Sequence, residues 1–198
     1  MFIVIKEIRK NIPKNGNSEF KIVDSFPLVV NKFGRACFGK RLREYSSYGM
    51  KVHVITDLYG NPIEYLLTKA NIDDREALNE LSDITNIQNL IGDKGYVGKI
   101  SEELKNEKGI NLYALKRSNS KETLLKPFRN LISKLRRRIE STFGQFIEHF
   151  DIERVRVNSI IALLTSLEIK FLCFNILTYI SGTTAISSVL NFNYHNAL

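Results

Sequence analysis

The stretch KVHVITDLYGNPIEYLLT, residues 51–68, decides how the rest of the chain is read. Two β-prone runs, KVHVITD and IEYLLT, flank the turn signal YGNP, the pattern of two antiparallel strands joined by a tight turn. His53 alternates with Val52 and Val54, so it points away from them and reads as a packing or hydrogen-bonding histidine rather than a ligand. Asp57, next to the turn, reads as structural.

Working outward, EFKIVD at 19–24 is a short strand ending in an acid and followed by the breaker SFP. Residues 31–50 hold glycines and basic residues without a clean period and read as a loop. Downstream, NIDDREALNELSDI at 71–84 opens with Asp73 three residues before Glu76, a capping arrangement, and continues as an amphipathic helix. Asp73 and Asp74 both read as helix caps. NLIGD at 89–93 is a fourth strand, again ending in an acid, and KGYVGK follows it. Residues 99–108 form a helix closed by Gly109, and INLYALK is a fifth strand.

From Pro127 the apolar residues Phe128, Leu131, Leu135, Ile139, Phe143, Phe146 and Phe150 recur every three or four positions, predicting one long helix with a single buried stripe. A last apolar helix spans 159–180. Residues 1–18 read as a polar lead-in with little structure and 183–198 as a loose tail, leaving one domain at 19–182. The order βββαβαβα plus a C-terminal helix predicts an α/β fold, a mixed five-stranded sheet with flanking helices.

Bulk properties narrow the function. A chain of 198 residues with 43% hydrophobic and 25% charged residues is an ordinary folded domain. Its net charge of +8 and pI near 9.4 favour a polyanionic partner, nucleic acid first and a membrane surface second. Cys37 and Cys173 are far apart, which argues against a zinc site or a disulfide scaffold and fits a reducing cytoplasm. The N-terminal apolar run is too short for a signal-peptide core. Segment 159–180 is long enough to span a bilayer but carries Glu168 and Lys170 near its middle. Each charge there costs about 2.5–3.5 kcal/mol on insertion scales, which favours a buried core helix and no membrane.

Three acids stand out. Asp24 and Asp93 end the first and fourth strands, and in a sheet where those strands are neighbours they emerge side by side at the carboxyl ends. Glu140 follows Ile139 on the long helix, so Arg136, Glu140 and Gly144 run along the edge of its buried face. Three carboxylates drawn together repel one another unless cations are present. A pair of Mg²⁺ or Mn²⁺ ions would resolve the repulsion and create a phosphoryl-transfer site. Against this, strand-end aspartates are common turn formers, and Glu140 beside arginines also suits an i,i+4 pair of about 0.2–0.5 kcal/mol. Residues alone leave both readings open. Nearby, Lys116, Arg117, Lys121, Lys126, Arg129, Lys134, Arg136, Arg137 and Arg138 face a single acid, Glu122, and read as a track for a DNA backbone. Lys94 and Tyr96, just after Asp93, could touch a substrate phosphate or simply build a turn.

Taken together and in order, IVDSFPL (22–28), KVHVITDLYGNPIEYLLTKANIDDRE (51–76), LIGDKGYVGK (90–99) and LRRRIESTFGQ (135–145) resemble bacterial insertion-sequence transposases of the DDE superfamily. The resemblance runs from about residue 18 to about residue 180. It implies a ribonuclease H-like catalytic domain in which Asp24, Asp93 and Glu140 are the catalytic, metal-holding acids, served by two Mg²⁺ or Mn²⁺ ions. It further implies cleavage and transfer of double-stranded DNA at element ends and target, in the cytoplasm at the nucleoid, with a homodimer on DNA as one arrangement. Such transposases usually carry an N-terminal helical DNA-binding region, and only 23 residues precede Asp24. The expectation is that this region is lacking. The loop at 40–51 also reads as shortened. A non-catalytic, DNA-binding transposase remnant and a ribonuclease H-like nuclease are the alternatives.

Overall fold

The computed structural model describes residues 1–13, 19–31, 40–41, 48–114, 126–153, 155, 157 and 159–182. The strand that organises it is β1 (Phe20–Asn31). It pairs antiparallel with β3 (Tyr48–Thr56) along most of its length, but parallel with β5 (Asn89–Gly92) only from Phe20 to Ile22. The hairpin expected from YGNP is present, β3 turning antiparallel into β4 (Pro62–Lys69). Asp57 closes it, accepting from the backbone N–H groups of Tyr59 and Asn61 and from the Asn61 side chain. On the other side β5 pairs parallel with β6 (Asn111–Ala114). These are the five expected strands of a mixed sheet. A sixth, the two-residue β2 (Lys40–Arg41), pairs with Tyr48 and Gly49 of β3.

Alternation along β1 sends Val23 to one face of the sheet and Ile22, Phe26 and Leu28 to the other. Over the first face lie α2 (Asp74–Asp83) and α3 (Lys99–Lys108), whose Leu78, Leu81, Ile100 and Leu104 pack with Val23, Ile55 and Leu90. Over the second lie α4 (Lys126–Phe150) and α5 (Ile160–Ser181), where Phe146, Leu167, Phe171 and Phe174 meet Phe26, Val52, Val54 and Tyr65. A smaller cluster of Ile22, Ile91, Ile132 and Ile139 ties α4 to β1 and β5. Gly109 ends α3 in the left-handed conformation, as expected.

Four expectations change. The first strand does not stop at SFP. β1 runs on through Pro27, opposite Lys51, because among the described residues only β3 neighbours it beyond Ile22, and proline is tolerated on an edge. Asp24 is therefore inside a strand and not at its end. Segment 31–50 is not simply a loop, since it contains β2 and the start of β3. The buried stripe of α4 centres on Ile132, Ile139 and Phe146, seven residues apart, and Leu131 is 50% exposed on its flank.

The fourth change concerns the lead-in. Residues Phe2–Asn11 form a helix, α1, packed on α5. Its anchor is charged, which is why apolar periodicity does not reveal it. Arg9 is fully buried and donates to Glu168 Oε1 (3.1 Å), the Ile63 carbonyl (2.8 Å) and Glu64 Oε1 (3.3 Å), while Lys6 also pairs with Glu64. Burial alone would push Glu64 up, but Lys6 and Arg9 outweigh it and hold the carboxyl below its usual range.

Both charges of α5 are thus accounted for. The helix is long and apolar enough by composition to cross a membrane. Within the fold, however, Glu168 is buried against Arg9, and Lys170 donates to the Phe150 and Asp151 carbonyls at the end of α4. The tail at 183–198 and Cys37 lie outside the described residues.

Candidate active site

The register of β1 against β5 builds the site. Ile22 pairs with Ile91 in the last parallel rung, and Asp24 and Asp93 each follow two residues later. With a period of two, both carboxylates leave on the face covered by α4. There Arg136 meets them. Its Nη1 lies 3.1 Å from Asp93 Oδ1, and its Nη2 lies 3.7 Å from Asp24 Oδ2 and 3.5 Å from Glu140 Oε1. The three acids singled out from the sequence therefore converge on one guanidinium.

The acids differ in setting. Asp24 is the most enclosed, and burial pushes its carboxyl up to about 6 against the pull of the Ser25 N–H (2.9 Å) and of Arg136. Glu140 is 52% exposed at the open side. Two residues on, Thr142 Oγ1 donates to the Gly60 carbonyl in the β3–β4 turn (2.8 Å), which ties this part of α4 to the hairpin.

Three carboxylates gathered around a cation are an oxygen-only donor set of the kind that suits Mg²⁺ or Mn²⁺. The guanidinium already stands in for such a charge. Among the described residues no group of three acids yet stands at metal-holding separation. Ions drawing oxygens to about 2.0–2.1 Å would need the carboxylates to close in and Arg136 to yield. The residues fit the ions in donor type, and their separations would have to shorten to hold them.

The basic track divides. Arg129, Lys134, Arg137 and Arg138 are exposed along α4, whereas Arg136 turns into the acids and is 15% exposed. Lys116, Arg117 and Lys121 lie outside the described residues, as does the side chain of Lys94, which opens a single 3₁₀ turn, Lys94–Tyr96. Tyr96 is buried against Gly92, so it builds that turn and does not offer a surface contact.

Asp74, expected to be a cap, is not one. Asp73 alone caps α2, accepting from the Arg75 N–H, which frees Asp74 to bind Ser25 Oγ (3.2 Å) and Lys51 Nζ (3.0 Å), with His53 Nδ1 at 3.6 Å. Two adjacent acids where one cap suffices are the signal in the sequence. This cluster braces Ser25, next to Asp24, from the opposite face of the sheet.

A family profile described as transposase DDE domain matches residues 20–160. The chain belongs to that family. The match opens at the first residue of β1 and closes at the first of α5, so the transposase domain includes Asp24, Asp93, Arg136 and Glu140. Its fold is similar to that of piggyBac transposase, solved as a synaptic complex with hairpin DNA, with a TM-score of 0.58 at 12% identity. The likeness covers 87% of this chain and 49% of that one, so the transposase domain spans about half the length of that protein. No curated protein matches it in sequence. The ribonuclease H-like α/β fold expected from the sequence is the fold of this transposase domain.

Proposed function

We propose that this transposase domain cleaves and transfers DNA strands at the ends of an insertion sequence. The observation that supports it most directly is the convergence of Asp24, Asp93 and Glu140 on the Arg136 guanidinium, on the face of the sheet covered by α4. These acids would hold two Mg²⁺ or Mn²⁺ ions. When bound, such ions activate a water or a 3′-hydroxyl and stabilise the leaving oxygen of an in-line displacement. The chain's own part is to bring the carboxylates together on β1, at the end of β5 and on a braced helix. Exposed Arg129, Lys134, Arg137 and Arg138 on the helix that carries Glu140 would grip the duplex backbone of element ends and target. DNA in the piggyBac complex supports the same partner. The setting is the cytoplasm at the nucleoid, with a homodimer on DNA as one working form.

One observation favours a second reading, a DNA-binding remnant that does not cut: Arg136 is paired with all three acids. A nicking assay on the element's own ends separates the two. Cleavage should require Mg²⁺ or Mn²⁺ and vanish in Asp24→Asn, Asp93→Asn and Glu140→Gln. DNA binding without cleavage in the unmodified protein would establish the remnant, and cleavage that survives in the variants would remove these acids from the site.

A further inference from the structure

Two arginines in this fold face acids, and they are held very differently. Arg9 is locked: its Nε, Nη1 and Nη2 all donate within 3.3 Å, and it is fully buried. Arg136 touches its acids only through Nη1 and Nη2, and two of the three separations, 3.5 and 3.7 Å, exceed ordinary hydrogen-bond length. Its Nε is buried without a hydrogen-bond partner among the described residues. Its side chain is 15% exposed, and the next two residues of α4, Arg137 and Arg138, are exposed.

We propose that Arg136 is a tethered counter-ion that divalent metal displaces, so that the acids stay assembled but metal-poor until DNA arrives. This rests on the metal-holding role proposed for Asp24, Asp93 and Glu140. Without a cation, three converging carboxylates repel one another, and the guanidinium relieves that repulsion. Divalent ions held at these oxygens and a guanidinium a few ångströms away oppose each other as like charges, so metal and Arg136 compete for the same carboxylates. Arg136 must leave as metal enters. A DNA phosphate offers the freed guanidinium a new anionic partner, which makes its departure less unfavourable. Metal and DNA then each raise the affinity for the other by the same factor.

The test is Mn²⁺ binding, measured by calorimetry on the full chain with and without a duplex, for the unmodified protein, Arg136→Gln and Arg136→Lys, with circular dichroism to verify folding. Without DNA, Arg136→Gln should bind Mn²⁺ at least tenfold more tightly than the unmodified protein. Arg136→Lys, whose shorter side chain reaches the acids less well, should fall between them. Adding the duplex should tighten Mn²⁺ binding in the unmodified protein but much less in Arg136→Gln. Equal or weaker Mn²⁺ binding by both variants would overturn the counter-ion role while leaving the metal site standing. Should Arg136→Gln fail to fold, Arg136→Lys decides alone by the same comparison. No Mn²⁺ binding by any of the folded proteins would overturn both this inference and the catalytic reading.

Discussion

Thr142 Oγ1 donates to the carbonyl oxygen of Gly60 at 2.8 Å, joining the helix that carries Glu140 to the turn between β3 and β4. Gly60 has φ +91, and a Cβ there would stand 2.4 Å from Thr142 Oγ1. Gly60→Ala should therefore be destabilising twice over, by left-handed backbone strain of about 1–2 kcal/mol and by pushing α4 outward. Thr142→Val keeps the shape and loses only the hydrogen bond, at about 1–3 kcal/mol for the buried carbonyl left unpaired. Urea melts would rank them. If Glu140 depends on this brace, Gly60→Ala should also lose more Mn²⁺-induced stabilisation than Thr142→Val; equal losses would argue against it.

Arg9 leads to a second prediction. Arg9→Met strands Glu168, fully buried, and leaves Glu64 with Lys6 and Lys10 as its cationic partners among the described residues. Breaking such a buried pair from one side typically costs about 3–5 kcal/mol. Adding Glu168→Leu removes the stranded charge, so the double variant should recover most of the loss. Should the double variant be no more stable than Arg9→Met in urea unfolding, the cost would lie in α1 packing and not in the unpaired carboxylate.

His53 supplies a pH test. It is buried, with Nε2 on Thr68 Oγ1 (3.0 Å), and burial lowers its pKa to about 4, Asp74 pulling it up and Lys51 pushing it further down. Above the unfolded value of 6.5 the ring is neutral in both states and has no effect. Between 6.5 and about 4 the unfolded chain takes up a proton that the folded one refuses, so stability falls as pH falls. The full loss approaches about 3 kcal/mol at about 1.4 kcal/mol per pH unit. His53→Gln should lose less stability than the unmodified protein between pH 7 and pH 4.5. Parallel curves for the two would show that His53 titrates normally.

The exposed arginines of α4 give the last prediction. Replacing Arg129, Arg137 and Arg138 by Gln should weaken binding to every duplex alike, and lower the slope of log affinity against log salt by about 0.9 for each phosphate no longer neutralised. An unchanged slope would mark these residues as helix surface only.

Much of this architecture is legible in the sequence because it rests on local properties. The YGNP hairpin follows from alternation and turn chemistry, the Asp73 and Gly109 caps from single-residue preferences, and α4 from a period that any helix must obey. Asp24, Asp93 and Glu140 can be singled out because their elements can be read. Other features depend on what an element packs against. Whether Pro27 breaks a strand turns on whether that strand has a second neighbour. Whether residues 2–11 fold turns on Glu64 and Glu168, far along the chain, waiting for Arg9. Arg136, Arg137 and Arg138 are identical in type and consecutive, so composition cannot tell them apart. Each helical residue turns the side chain by about 100°, so only one of the three can face the acids. Which one is decided by the seating of α4 on the sheet, through Ile132, Ile139 and Phe146 and the hydrogen bond from Thr142 to Gly60.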